Sequence, residues 1–299
     1  MKHKQSLNKQ KIRQIYKNQI FMNWNTTLEN YKTYLIIEKS LTSNSIEAYL
    51  SDIRQVISFL EERNIGIEDI QPDHLQSYIE SKVDKEKVTS RTESRIISSI
   101  KSFFKFLEID NIINSNPSLI LVNPKIKRKI PTTLTDKEVE NIFKAVEMYK
   151  PEGKRNRAII AVLYNCGLRV SELINLKLTD INFNKNTVHI SGERERTLHL
   201  NPSTKEEIKE YIQGYRNYLD IQSESENILF LNKRGTAISR VMIFNIIKHL
   251  AKRAQIKKQV SPCIFRHTFA NNQRRKGIDL MNLKIMLGHS SVVTTEIYQ

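Results

Sequence analysis

Cysteine is nearly absent from this chain. Cys166 and Cys263 are the 2 in 299 residues, too few for a disulfide framework and too few for a zinc site. Glycine and proline are scarce as well, at 8 and 7, which argues against a loop-rich all-β fold, a collagen-like chain or a long disordered linker. No stretch approaches the ~18 uninterrupted apolar residues of a membrane helix. The opening MKHKQSLNKQKIRQIYKNQI has a basic start without an apolar core, unlike a secretory signal. Acid is in short supply, since 32 Asp+Glu against 48 Lys+Arg leave a formal charge of +16. The expectation is a cytoplasmic, helix-rich chain of about two domains with no membrane contact, whose positive charge suits a polyanion.

That charge is spread along the chain. Residues 1–130 hold 21 Lys+Arg against 15 Asp+Glu, and residues 131–299 hold 27 against 17. Such a distribution fits a polyanion contacted by both halves. Residues 2–17 carry six Lys/Arg and no acid, a basic arm (1–24) that suits either a solvated terminus or a contact with DNA.

Residues 25–112 read as a helical domain of four segments. Ile46, Leu50, Ile53, Ile57 and Leu60 recur at steps of four and three, one apolar stripe on a helix. The pattern repeats at Ile96, Ile97, Ile100, Phe103, Phe104 and Leu107, and a shorter helix is predicted over 72–81 with Pro72 in its first turn. Three prolines and a KIKRK run interrupt 115–134, so 113–130 reads as a linker whose lysines suit solvent or backbone phosphate equally.

The second half, 131–299, opens on a capping box with Thr135 as N-cap and Glu138 at N3. Helices are predicted near 154–165, 170–177, 203–218 and 238–254, and again in the last 40 residues. The alternating 187–191 and 196–200 predict a β-hairpin, with a further short strand at 228–231.

Two arginines stand in apolar contexts where a purely solvating arginine is out of place. Arg169 lies in NCGLRVSELINL and Arg266 in SPCIFRHTFANN, each near a helix start. Arginine suits phosphate because its fork matches two oxygens and keeps its charge. The segments CGLRVSELINLKLTDI (166–181), SPCIFRHTFA (261–270) and LGHSSVVTTEIY (287–298), in this order, resemble the tyrosine recombinase (phage integrase) family, of the Xer-like, transposon or plasmid type. SLTSNSIEAYLSDI (40–53) and NPKIKRKIPTTLTDKEV (123–139) extend the resemblance over roughly 25–298.

The resemblance implies a mainly α fold with a small β-hairpin or sheet. A helical SAM-like core-binding domain (25–112) and a mixed α/β catalytic domain (131–299) would form a C-shaped clamp on duplex DNA. It implies a site-specific recombinase, with a homotetramer on two DNA sites and no cofactor, metal or ATP. Tyr298 matches the nucleophile that forms a 3′-phosphotyrosyl link, Arg169 and Arg266 the phosphate clamp, and His289 a further phosphate contact. Glu172 and Asp180 look like acids that buttress the helix of Arg169, His267 like structural packing, and Cys166 like a small buried hydrophobe.

Three departures stand out. Glu193 aligns where the family places a hairpin lysine that protonates the leaving 5′-oxygen, and a carboxyl of ordinary pKa ~4.3 is the wrong acid at pH 7. Arg194 or Arg196 could swing in as a charge but arginine holds its proton too tightly to donate it. Cys263 stands where a histidine is usual, and reads better as a buried structural cysteine than as a proton exchanger. One residue follows Tyr298, so subunits would dock through contacts other than the family's usual tail. The expectation is a weak strand transferase; its rivals are an impaired relative that binds DNA as an accessory, a helical transcription regulator without chemistry, and a type IB-like topoisomerase.

Overall fold

The computed structural model describes residues 24–126, 131–192 and 194–298; the basic arm up to 23, residues 127–130 at the end of the linker, Glu193 and Gln299 lie outside the described residues. The chain divides into two compact units, 1–128 and 129–299. No described helix is long and apolar enough to cross a membrane.

The first unit is helical, with α1 (24–37), α2 (Ser43–Glu61), α3 (Pro72–Asp84) and α4 (Ser90–Ile109). Its periodic residues do what the spacing predicts. Ile46, Leu50, Ile53, Ile57 and Leu60 of α2 are buried, as are Ile96, Ile97, Ile100, Phe103, Phe104 and Leu107 of α4. Pro72 opens α3, where its missing N–H costs nothing. Tyr31 of α1 meets Phe103 edge-on, with centroids 5.0 Å apart at 74°. Asp52 is buried too, off the stripe, because Ser99 Oγ donates to it at 2.7 Å and Arg95 pairs with it. Much of the proline-rich stretch packs on this unit: Pro117 and Ser118 are buried in a 3₁₀ turn and Leu121 joins the core.

The second unit surrounds a three-stranded antiparallel sheet in the order β1–β2–β3, with β1 (Ile181–Asn182), β2 (Thr187–Ile190) and β3 (Arg196–His199). The hairpin register pairs Val188 with Leu198 and Ile190 with Arg196. Helices α5 (Asp136–Lys144), α6 (Gly153–Cys166), α7 (Val170–Ile174), α8 (Pro202–Gly214), α9 (Arg240–Arg253), α10 (Pro262–Arg275) and α11 (Leu280–Leu287) complete it. The Thr135–Glu138 capping box forms as the sequence predicts. Beside it, the Leu134 N–H donates to the buried Thr268 hydroxyl of α10 at 2.9 Å.

Several expectations are corrected. The strand at 228–231 is absent; Ile228 and Leu231 make isolated bridges, to Lys177 and Ala237. Leu229, Phe230 and Leu231 are all fully buried, and their N–H groups are spent elsewhere, for instance Leu229 on Leu176 O and Leu231 on the Tyr211 hydroxyl. The run packs into the core instead of extending the sheet. The helix predicted to 218 ends at Gly214, where Tyr215 turns to φ −147°, and a 3₁₀ turn then buries Arg216 against the carbonyls of Glu226 and Ile228. The helix predicted to 177 stops at Ile174. Strand β1 was not anticipated, because a two-residue strand leaves no alternation to read.

Candidate active site

The site forms around one helix end. Helix α11 terminates in a Schellman motif: Gly288 takes the left-handed conformation at φ 59°, its N–H bonds Ile285 O, and the His289 N–H bonds Lys284 O. Those two bonds leave the carbonyls of Met286, Leu287 and Gly288 without partners from the helix itself. Arginines fill all three positions. Arg196 Nε donates to Met286 O at 2.7 Å, and Arg266 Nη2 donates to Leu287 O. Gly288 O accepts from Arg169 Nη2 at 2.8 Å and from Arg194 Nη1 at 3.1 Å.

Each arginine reaches this point for a local reason. Gly167 ends α6 at φ 60°, and a Cβ there would lie 2.3 Å from the Phe269 ring, so the chain can turn tightly past α10. Two residues on, Arg169 is the N-cap of α7. Arg266 lies on the buried face of α10 and also donates to Gly167 O at 2.8 Å. Arg196 shares the inward face of β3 with Leu198, so the hairpin carries it under the site.

Glu172 is the carboxylate of the cluster. It accepts from the Arg169 N–H at 2.7 Å and from Arg169 Nη1 at 2.9 Å, and takes both Arg196 Nη groups at 3.0 and 2.9 Å. Arg266 Nη1 stands 3.9 Å away. Burial pushes this carboxyl up, but the bonds and charge of Arg196 and Arg169 outweigh it and leave it below the ordinary range. Exposure separates the arginines by use. The Arg196 side chain is 3% exposed and fully engaged, while Arg169 is 32% exposed and its bonds here use two of five donors. Arg194 is exposed.

His289 follows Gly288 and holds its Nδ1 2.9 Å from the buried Thr295 hydroxyl. Burial and then the charges of Arg266, Arg169, Arg194 and Arg196 push it down to about 4, so it is neutral at pH 7. Burial and Arg169 likewise lower Arg266, to about 10, where it stays charged at pH 7. Tyr298 is buried in a small core with Phe269, Leu283 and Leu287, and its hydroxyl lies 2.5 Å from His267 Nδ1. Burial raises its phenol above the ordinary value, opposed by Arg266 and aided by Cys263.

Arg169, Arg194, Arg266 and His289 therefore converge on one helix end, with Tyr298 packed on the same helix. Four readings change. Cys263 is exposed, because it sits in the first turn of α10 on the side away from the core. Arg196 does not swing in; Glu172 and Met286 O lock it. Asp180 does not buttress Arg169, since its carboxylate accepts the Lys177 N–H at 2.8 Å in a separate turn. His267 is more than packing, because it meets the Tyr298 hydroxyl. Arg196 was legible as a structural cation from its parity with Leu198. Cys166 is buried as expected, and burial pushes its thiol up to about 12. Among the described residues no His, Cys, Asp and Glu trio is grouped as a metal would require.

A convergent guanidinium cluster thus lies beside a buried tyrosine on a helical unit with a three-stranded sheet. The phage integrase family description matches residues 132–299, and its N-terminal SAM-like domain matches 28–110. The chain belongs to the phage integrase family. It is 34% identical over 280 residues to tyrosine recombinase XerC of Anoxybacillus flavithermus, covering 92% of this chain and 93% of that protein. It is 32% identical over 276 residues to tyrosine recombinase XerD of Staphylococcus haemolyticus, with coverages of 91% and 93%. Among solved structures it resembles XerA recombinase, at 26% identity, TM-score 0.52 and 92% of each chain. It shares its fold with a lambda integrase dimer bound to a COC′ core site, at 17% identity, TM-score 0.70, and 90% and 96% of the two chains.

Two outcomes are expected of the free protein. Glu172→Ala strands the buried Arg196 and lowers stability by about 3–5 kcal/mol in urea unfolding; a loss under ~1 kcal/mol would mean the pair does not organise the site. Because the folded carboxyl lies below its unfolded value, its contribution is present above about pH 4.3 and lost as pH falls further. His289 should titrate in NMR with a midpoint of about 4, and a midpoint at its ordinary value would contradict its burial beside four arginines.

Proposed function

We propose that this chain is a site-specific DNA recombinase that cleaves and rejoins strands through a 3′-phosphotyrosyl intermediate. The observation that carries the reading is the convergence of Arg169, Arg194, Arg266 and neutral His289 on the end of α11, with Tyr298 packed against the same helix. In this reading Tyr298 attacks the scissile phosphate, and Arg169, Arg266 and Arg194 direct their remaining donors at its non-bridging oxygens. With Nδ1 of His289 engaged by Thr295, Nε2 is the nitrogen that faces a phosphate oxygen. Glu172 and Arg196 position the clamp without touching substrate.

The partner is duplex DNA gripped by both basic units, in the cytoplasm, with affinity that falls steeply as salt rises. Recombination uses two such sites and four protomers. The bond energy is kept in the phosphotyrosyl link, so the reaction needs no ATP and no metal. Its weak point is the leaving group. With Glu193 at the hairpin turn and Cys263 in place of a histidine, protonation of the 5′-oxygen is poorly served, and cleavage is slow.

Two measurements test this. On a nicked suicide duplex, selected from a random-sequence pool by binding to the protein, the chain forms an SDS-resistant adduct that Tyr298→Phe abolishes; tight binding without an adduct leaves only a DNA-binding relative. Replacing the 5′-oxygen by sulfur, a leaving group that needs little protonation, accelerates cleavage by on the order of 10²–10⁴. Equal rates on the two substrates would refute the leaving-group deficit.

A further inference from the structure

Tyr298 is buried, and a buried phenol gives up its proton reluctantly. Its hydroxyl lies 2.5 Å from Nδ1 of His267, with ring centroids 5.7 Å apart. Among the described residues, His267 Nδ1 is the group that meets the Tyr298 hydroxyl at hydrogen-bond distance. Arg169 and Arg266 are donors only. His289 has its Nδ1 turned to Thr295, and Cys263, one helical turn before His267 on the same face of α10, is exposed.

We propose that His267 is a further catalytic residue: its Nδ1 aims the Tyr298 hydroxyl and takes its proton as the nucleophile attacks. The proposal rests on Tyr298 being the nucleophile. The step balances as follows: the Tyr298 oxygen–phosphorus bond forms while the phosphorus–O5′ bond breaks. The electron pair of the broken bond goes to O5′, which takes a proton from water. The phenol proton goes to Nδ1, leaving an imidazolium that returns it to Tyr298 when the strand is rejoined.

The surroundings suit that exchange. The groups facing His267 are Tyr298 from the C-terminal turn and Arg266 on its own helix, with Cys263 a turn away. Burial and then Arg266 hold the imidazole below its ordinary value, so at neutral pH it is unprotonated and its Nδ1 lone pair is free to accept. A phosphate settling on Arg266 offsets that charge and makes His267 a stronger base at the moment the proton must move.

The test uses the full chain and the same selected nicked duplex. His267→Asn keeps an oxygen acceptor near the Nδ1 position but cannot take a proton. It should fold and bind DNA as the parent does, form adduct about 10²–10⁴-fold more slowly, and lose the acidic limb of the parent's pH–rate profile. His267→Ala should recover part of its rate when imidazole is added. Adduct formation by His267→Asn at the parent rate, with the parent pH profile, overturns the proposal.

An activity-independent readout is ¹⁵N NMR of the DNA-free protein, with the His267 signal assigned by its loss in His267→Asn. Nδ1 should be unprotonated and hydrogen-bonded, and should shift in Tyr298→Phe. A protonated Nδ1 overturns the assignment. If the parent forms no adduct at all, the recombinase reading fails, while the NMR result still judges the Tyr298–His267 contact.

Discussion

The C-terminal end of α11 exposes more carbonyls than its own turn can satisfy, and the site exists because arginines from three other elements satisfy them. Arg169 from the start of α7, Arg194 and Arg196 from the hairpin, and Arg266 from α10 meet at Met286, Leu287 and Gly288. A helix C-terminus carries a partial negative charge, but each cation gains only about 0.3–1 kcal/mol from it. The charge-assisted hydrogen bonds, at about 1.5–3 kcal/mol each, are the larger effect. Against them stands mutual repulsion, ~3 kcal/mol for two unit charges ~5 Å apart at an effective dielectric constant of ~20. Glu172 offsets that repulsion by taking Arg196 in a bidentate pair and bonding Arg169 at the same time. One carboxylate among four guanidiniums leaves the cluster positive.

Burial, and then that excess charge, account for the behaviour of both histidines. Each is partly buried and each faces Arg266, so each is held neutral where a solvent-exposed imidazole would titrate. Neutral imidazoles keep one donor and one acceptor, which a doubly protonated ring lacks.

The sequence made the helices of the first unit legible, because their apolar stripes have no competing pattern. Arg169, Arg266, His289 and Tyr298 were legible only jointly, from three separated segments in order. Other features depend on contacts that no local pattern carries. Leu229, Phe230 and Leu231 read as a strand because burial on every side looks the same in sequence whether or not a ladder forms. Cys263 looked buried beside apolar neighbours, yet its place in the first turn of α10 turns it outward. Arg196 looked free in a charged turn, whereas its parity with Leu198 already pointed it inward. The contact between His267 and Tyr298 spans 31 residues and two elements, and nothing in either segment alone announces it.

Arg266 and Tyr298 are tied by packing as well as by charge. Phe269 and Ala270 of α10, Leu283 and Leu287 of α11, and Tyr298 form one small core. Leu287 contributes its side chain to that core and its carbonyl to Arg266, so the residue that seats the tyrosine ring also orients that guanidinium. Phe269 in turn occupies the space that a side chain at Gly167 would fill, and Gly167 O is the second anchor of Arg266. Burying an aromatic or leucine side chain contributes about 1.5–3 kcal/mol each, comparable to the hydrogen bonds at the helix end. A shift of Tyr298 large enough to take its hydroxyl from His267 must therefore disturb the same side chains that fix Arg266. Tyr298 and Arg266 are held in register by one shared core, which fixes a short, irregular C-terminal turn against the helix end that the arginines surround.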